Sequence, residues 1–283
     1  MLKKAINLGN ICRINKGMET GANKVTDKIL SLYMGDIVKK NAGIFVLDSE
    51  NEEDLQVINS FTKEEKQFLK PFYCNADIFK YKVNTHTSKY VLHIPNGVKN
   101  IDKFKNIRQH LMKYYDVLSL RRSVKNGSLE YFNLNWERDL EMYTKDKIVV
   151  SYRNRLNEFG YTEQAWHAPS GVYYITLNNN QTFELKFIIA FLNSKLCYYW
   201  LYNKGKRKGE NIEFVTTPLA EIPIPIISKE RQELFIEYIE EIERCLDNNE
   251  KYDSIQQNID FAIYNIYSLT KEEIEIVENT YPN

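Results

Sequence analysis

The chain has 283 residues, of which 43% are hydrophobic and 27% charged, and this composition is typical of a globular protein and excludes wholesale disorder. No stretch approaches 18 consecutive apolar residues and the N-terminus lacks a signal-peptide core, so we expect no membrane span and a cytoplasmic location. The formal net charge is zero, but residues 226–283 carry 5 basic and 14 acidic side chains, whereas residues 1–225 carry 33 basic and 24 acidic ones. The basic part favours a polyanionic partner.

Residues 1–225, the body, are predicted to mix strands and helices. Residues 9–25 contain three glycines and predict one or two strands broken by a tight turn, and residues 42–47 predict a buried strand. Residues 61–69 predict a charged helix, and residues 88–94 predict a strand that ends at a Pro-Asn-Gly turn.

The second half of the body continues this mixture. Apolar residues at three-to-four spacing predict a helix over 101–118 that runs on to Arg121 and Arg122. Two β-branched and aromatic segments, 147–153 and 172–177, predict strands, and residues 182–202 predict a mostly buried helix.

Residues 226–283, the tail, are predicted to be helical. Its two apolar stripes at helical spacing are Leu234, Phe235, Tyr238, Ile239, Ile242 and Leu246, then Ile255, Ile259, Ala262, Ile263 and Ile266. A turn at 247–249 separates them, and Thr270 with Glu273 predicts a capping box. We therefore predict an α+β fold, with a mixed β-strand body packed with helices over 1–225. An antiparallel helix pair and a short capping helix then form a separate tail over 226–283.

Most catalytic signatures are missing from the sequence. It has no glycine-rich phosphate loop, no metal-binding histidine spacing and no Asn/Asp-Pro-Pro-aromatic tetrapeptide of the kind with which amino-methyltransferases hold the target amino group. One alternative is a magnesium-dependent nuclease site made from Asp54, Glu64 and Lys66, although a solvated helix face explains the same residues. We expect no catalytic residue and no metal site in this chain.

The first informative motif is the segment 16–24, KGMETGANK, which we call the first loop. Its two glycines allow positive φ angles and a close backbone approach, and Thr20 and Asn23 are short donors and acceptors. Lys16 and Lys24 flank them. The loop suits contact with a nucleic-acid backbone, and a plain tight turn is the alternative explanation.

The first loop resembles the opening segment of the TaqI-like C-terminal specificity domain, the target recognition domain of γ-class adenine-N6 DNA methyltransferases and type IIG restriction–modification enzymes. Matching positions follow in the family's order at 69–72, 77–78, 90–94, 120–122, Trp136, 146–149, 191–196, 221–225, 259–264, 267–270 and 273–274. The polar residues 25–28 depart from the family pattern.

This resemblance implies a sequence-specific DNA recognition module that is not catalytic by itself. It implies double-stranded DNA as one partner and an adenine methyltransferase domain or subunit as the other. S-adenosylmethionine would be bound in that catalytic part, and this chain would hold no cofactor. Because no methyltransferase sequence precedes the first loop, we expect either a fragment of a fused enzyme or a separate specificity subunit.

Three basic clusters in the body are candidate DNA contacts. They are Arg121, Arg122 and Lys125; Arg153 and Arg155; and Lys204, Lys206, Arg207 and Lys208. Arginine makes bidentate contacts to guanine and lysine neutralises phosphates, although each residue is also explained as ordinary surface charge. The last cluster is predicted to be a flexible phosphate-binding loop, and Gln164, Trp166 and His167 are predicted to be a base-reading loop. A protein-interaction module built on the acidic tail is a further alternative function.

Overall fold

A computed structural model describes residues 5–31, 38–179 and 182–282 of the chain. The strands are β1 (Ala5–Asn7), β2 (Cys12–Lys16), β3 (Val46–Asp48), β4 (Leu69–Pro71), β5 (Lys89–Leu92), β6 (Lys147–Ser151), β7 (Arg153–Asn154), β8 (Phe159–Thr162), β9 (Val172–Leu177), β10 (Lys206–Lys208), β11 (Asn211–Glu213) and β12 (Pro223–Pro225).

The helices are α1 (Leu8–Ile11), α2 (Asp27–Leu30), α3 (Glu52–Ser60), α4 (Lys63–Lys66), α5 (Lys105–Met112), α6 (Tyr115–Ser119), α7 (Arg122–Lys125), α8 (Glu141–Thr144), α9 (Leu185–Leu192), α10 (Lys195–Lys204), α11 (Thr216–Ala220), α12 (Lys229–Asp247), α13 (Asp253–Tyr267) and α14 (Lys271–Thr280). Helices and antiparallel sheets occur together, which confirms the α+β class. Within the described ranges, no helix is both long enough and apolar enough to cross a bilayer.

A four-stranded antiparallel sheet, in the order β2-β9-β6-β8, lies at the centre of the fold. Successive side chains of a strand point to opposite faces. Ile148 and Val150 therefore join one hydrophobic core, whereas Val149 between them joins another. The sheet separates these two cores. Strand β9 confirms the strand predicted over 172–177 in full, and β6 confirms the one predicted over 147–153 as far as residue 151.

The first core is closed by the tail helices. Phe235, Ile239 and Ile242 of α12 are buried, and the Phe235 ring lies 5.3 Å from that of Phe187 on α9. On α13, Ile255, Ile259 and Ile263 are buried in the same core. The prediction for Leu234 is wrong, because this residue is 42% exposed at the edge of the stripe. The tail thus packs on the body, and the domain boundary at 225/226 stays a prediction.

The second core lies on the other face of the central sheet. A three-stranded sheet in the order β3-β5-β4 packs there with α5 and α6. The prediction of one continuous helix over 101–122 is wrong. The structure has three separate helices here, α5, α6 and α7, and Arg121 between α6 and α7 has an extended backbone with ψ of 137°.

The helix predicted over 182–202 is also divided. The Asn193 side chain donates to Phe159 O and accepts from Phe159 N, at 2.9 and 2.8 Å, and these bonds to β8 interrupt the helix between α9 and α10. Ser194 then caps α10 by accepting a hydrogen bond from Cys197 N. The capping box of Thr270 and Glu273 at the start of α14 is confirmed.

Two further element predictions are wrong in extent. The charged helix predicted over 61–69 is reduced to α4, because Leu69 and Pro71 lie in strand β4 and pair with β5. The buried strand predicted over 42–47 begins at Val46, where β3 starts. Residues 42–45 are instead held by hydrogen bonds to the first loop, such as that from Ile44 N to Asn23 O at 2.9 Å.

Candidate nucleic-acid interface

The two glycines of the first loop have the conformational roles that the sequence predicts. Gly17 N donates to Val172 O at 2.8 Å, and a Cβ at Gly17 would collide with the carbonyl oxygens of Ala168 and Pro169. Gly21 has a φ of 85°, in the left-handed region that glycine tolerates without strain. The first loop is therefore a fixed feature on the end of the central sheet.

The polar residues of the first loop divide into an internal and an external set. Thr20 is only 5% exposed, and its hydroxyl donates to the Asn23 side chain while accepting from Ala22 N at 3.2 Å. These hydrogen bonds give Thr20 a role in shaping the loop itself, and its assignment as a DNA contact stays a prediction. Asn23 and Lys24 are exposed and line two neighbouring grooves of about 720 and 610 Å³.

Arg121 is also a structural residue. Its guanidinium donates to the carbonyl oxygens of Leu118, Thr20, Asn133, Tyr131 and Glu130 and to the Asn135 side chain, at 2.6–3.4 Å. Burial lowers the pKa of Arg121 to about 10, so it stays charged at neutral pH. Its guanidinium is thus engaged within the fold, and its assignment as a DNA contact stays a prediction. Arg122 and Lys125 are exposed and form no ion pair within the described part of the chain.

A series of stacked aromatic rings connects the first loop to the second basic cluster. Lys16 Nζ lies 5.6 Å from the centroid of the Tyr173 ring, which stacks on Tyr152 at 6.4 Å with an interplanar angle of 22°. The Arg153 guanidinium lies 5.3 Å from the Tyr152 ring. Residues that are far apart in sequence are thus placed along one end of the central sheet.

The third basic cluster continues from this point. Arg153 and Lys206 both form ion pairs with Glu213 on the β10–β11 hairpin, and their hydrogen bonds, that of Arg153 first, lower the pKa of Glu213 to about 2. The Arg207 guanidinium lies 4.1 Å from the Tyr202 ring centroid. The prediction of a flexible loop here is wrong, because residues 206–208 form strand β10, which pairs with β11.

We call these seven cations the basic edge. It consists of Lys16, Arg153, Arg155, Lys204, Lys206, Arg207 and Lys208. Two carboxylates oppose them, Glu213 and the more distant Glu210, which lies 3.9 Å from Arg155. Lys204 and Lys208 are exposed and form no ion pair among the described residues, so the edge keeps a net positive charge.

The predicted base-reading loop is part of the core. Trp166 is buried, its ring stacks on Tyr73 at 4.9 Å, and its Nε1 donates to Asn84 O at 3.0 Å. His167 is buried against Tyr143, and burial lowers the pKa of His167 to about 3, so it is neutral. We correct both assignments, because aromatic stacking buries a segment that looked polar in sequence. Gln164 alone of the three is exposed.

An exposed tryptophan beside the first loop was missed as a candidate contact. Trp136 is 55% exposed and exchanges two backbone hydrogen bonds with Glu19, at 2.9 and 3.0 Å. Its exposure and its pairing with Glu19 are evident only in the structure, since the sequence marks Trp136 only as one of the positions that match the family.

The residues of the nuclease alternative do not form a metal site. The Asp54 carboxylate is buried and accepts hydrogen bonds from Gly43 N and Asp48 N, at 2.9 and 3.0 Å. Glu64 and Lys66 are exposed on α4. Across residues 5–31, 38–179 and 182–282, no group of three or more His, Cys, Asp or Glu side chains could hold a metal ion.

Comparison with known proteins defines the class of this fold and site. The family model of the TaqI-like C-terminal specificity domain matches residues 70–224, more than half of the sequence. The chain therefore belongs to this family, as its motifs indicate.

Individual relatives add detail. The chain is 27% identical over 223 residues to the type II methyltransferase M.HindII of Haemophilus influenzae. This match covers 76% of this chain and 38% of that protein. It is 25% identical over 246 residues to M.MjaIV of Methanocaldococcus jannaschii, covering 82% and 80%. The chain thus spans less than two fifths of M.HindII and most of M.MjaIV. A solved structure of the type IIL restriction-modification enzyme MmeI in complex with DNA has a similar fold, with a TM-score of 0.60 and 14% identity, over 94% of this chain and 35% of that one.

Proposed function

We propose that this chain recognises the target sequence in double-stranded DNA for a restriction–modification adenine-N6 methyltransferase. The observation that carries the proposal is the basic edge, in which two stacked tyrosines link Lys16 of the first loop to Arg153 and the β10–β11 hairpin. Membership of the specificity-domain family supports it. In this role the protein acts in the cytoplasm, where it meets its DNA.

We assign phosphate and base contacts to different side chains according to their exposure and their hydrogen bonds. The basic edge neutralises phosphates and fixes the register on the duplex, because lysine and arginine on a surface contact mainly the backbone. The exposed Lys24, Arg122 and Lys125, and the amide nitrogen of Asn23, whose Oδ1 accepts from Thr20, are proposed to reach base edges. Thr20 and Arg121 hold that loop in shape from inside.

The chemistry is proposed to occur elsewhere. An adenine methyltransferase domain or subunit would bind S-adenosylmethionine and methylate an adenine flipped out of the duplex. This chain would supply recognition alone. The buried Asp54, committed to two backbone amides, gives the nuclease alternative no support.

A DNA titration at two salt concentrations tests the proposal. The full chain is titrated with a labelled duplex at about 50 and 200 mM salt, where six phosphate contacts lower affinity by about 10³. The triple variant Lys204→Ala, Arg207→Ala and Lys208→Ala should bind more weakly, and its salt dependence should fall to about 10²-fold or less. Lys206 is left unchanged because it shares Glu213 with Arg153.

The matched control removes three positive charges from the tail. Lys229, Lys251 and Lys271 are exposed, and their replacement by alanine should leave affinity and salt dependence near those of the parent. A parent chain that binds no duplex at low salt contradicts the proposed function. Equal losses of DNA affinity in the two triple variants would show that the basic edge is not part of the DNA interface.

A methylation assay tests the non-catalytic part. Incubation of the chain alone with duplex DNA and radiolabelled S-adenosylmethionine should give no labelled DNA. Labelled product would refute the assignment of chemistry to another domain or subunit, and it would leave the binding result standing.

A further inference from the structure

Trp136 is more exposed than tryptophan side chains usually are. It leaves 55% of its surface exposed, whereas Trp166 is buried and Trp200 is half-buried. Tryptophan has a large flat ring that can stack on a base, so an exposed one beside a lysine-bearing loop is a candidate base contact. Its backbone bonds to Glu19, which lines one of the two grooves beside the first loop.

The indole is held in place by a strained neighbour. The Arg138 guanidinium lies 4.3 Å from the Trp136 ring centroid, and Arg138 Nε donates to Gly17 O at 3.2 Å. Arg138 has a φ of 67°, which is unfavourable for a residue other than glycine. Its buried Nη2 has no hydrogen-bond partner among the described residues. The cation thus covers one part of the indole, and the fold tolerates backbone strain to keep it there.

We propose that Trp136 stacks on a nucleobase that is unstacked in the bound DNA, an inference that rests on the proposed function. Aromatic side chains stack on bases of any sequence because every base has a π face. The loop that carries Lys16 and Lys24 is hydrogen-bonded to Trp136 through Glu19, which places a negatively charged strand within reach of the indole. Three carboxylates belong to residues that pair with or closely follow Trp136. Glu19 pairs with its backbone, Glu137 accepts from Asn96 N at 2.9 Å, and Asp139 lies 4.0 Å from Arg13.

Bubble-containing DNA provides the test. The probes are a labelled duplex of about 30 base pairs and the same duplex with a small central unpaired bubble, each titrated against the full chain. The parent should prefer the bubble, and Trp136→Leu should lose about 5-fold to 150-fold of its affinity for that probe. Affinity for the fully paired duplex, which the basic edge supplies, should change about twofold at most. Leucine keeps an apolar surface and the backbone bonds to Glu19 but removes the flat ring.

Two further variants make the result specific. Trp136→Tyr keeps an aromatic ring and should retain most of the preference for the bubble. Phe261→Ala removes an equally exposed aromatic residue from α13 and should match the parent. In fluorescence, bubble DNA should quench part of the parent's tryptophan emission, and that quenching should be absent from Trp136→Tyr, in which Trp166 and Trp200 remain.

The possible outcomes are distinct. If the parent binds duplex DNA but Trp136→Leu binds the bubble as the parent does, the stacking role is wrong and the proposed function stands. Loss of bubble affinity in Trp136→Tyr equal to that in Trp136→Leu would also overturn it, since the ring would then not be the determinant. A parent that binds neither probe at low salt refutes the proposed function and the stacking role together.

Discussion

Replacing Arg121 by lysine should destabilise the fold rather than act directly on DNA binding. The planar guanidinium of Arg121 reaches six acceptors, of which five are backbone carbonyl oxygens of the segments around the first loop. Lysine has three donors on one nitrogen and cannot span these acceptors. Several carbonyl oxygens would therefore lose their partners.

The magnitude follows from these bonds. A hydrogen bond to a charged group contributes about 1.5–3 kcal/mol, and a set that acts together is less than additive. We expect Arg121→Lys to lower the free energy of unfolding by about 2–4 kcal/mol and Arg121→Ala by about 3–5 kcal/mol. For a chain of this size, each kcal/mol lowers Tm by about 2–4 °C.

Thermal and denaturant unfolding measure this effect, with Arg122 as the control. Arg122 is the next residue and carries the same charge, but it is exposed, so Arg122→Ala should change the free energy of unfolding by about 0.5 kcal/mol at most. Arg122→Ala should instead weaken DNA binding. If Arg121→Lys unfolds like the parent while its DNA affinity falls, the structural role assigned to Arg121 is wrong.

Three other predictions follow from the same contacts. Gly17→Ala should cost about 2 kcal/mol or more in unfolding experiments, because its Cβ would meet two backbone carbonyl groups, whereas Gly97→Ala, which has open space, should be close to neutral. Ile242→Ala should cost about 2–5 kcal/mol and the exposed Leu234→Ala under about 1 kcal/mol, and equal melting temperatures would contradict the packing of α12. Burial lowers the pKa of His110 to about 4 and that of His167 to about 3. In the unfolded chain histidine pKa values are near 6.5, so as the pH falls the unfolded chain binds protons before the folded chain does. The free energy of unfolding should therefore decrease as the pH is lowered from about 6.5 to 4, and the decrease should be smaller in His110→Gln.

The parts of the fold that sequence predicts are those fixed by periodic burial. Strands β6 and β9 are apolar on both faces because two cores meet there, and a continuous apolar run indicates such a strand. The stripes on α12 and α13 predict their buried faces for the same reason. Helix continuity was not predictable where one polar side chain, such as Asn193, interrupts the helix by bonding to a distant strand.

The candidate site was predicted in outline but not in detail. The basic residues and the first loop stand out in sequence, yet nothing in their spacing distinguishes Arg121, which is surrounded by carbonyl oxygens, from the exposed Arg122. Trp166 and His167 likewise became core residues through stacking on Tyr73 and Tyr143, which lie elsewhere in the sequence. Only tertiary contacts separate these roles.

Ion pairs between tail and body account for part of the charge asymmetry between them. Tail carboxylates pair with body lysines that are not members of the basic edge, as Lys82 does with Asp247 at 2.8 Å and Lys186 with Glu243 at 3.0 Å. These lysines are neutralised, whereas Lys204 and Lys208 are not. At physiological salt the Debye length is about 8 Å. A phosphate at the basic edge is therefore attracted by the cations next to it, whereas salt screens its repulsion by carboxylates that lie farther away than this length. In the proposed function, a chain with zero net charge therefore presents a basic surface to DNA, while part of its acidic tail pairs with body lysines that do not belong to that surface.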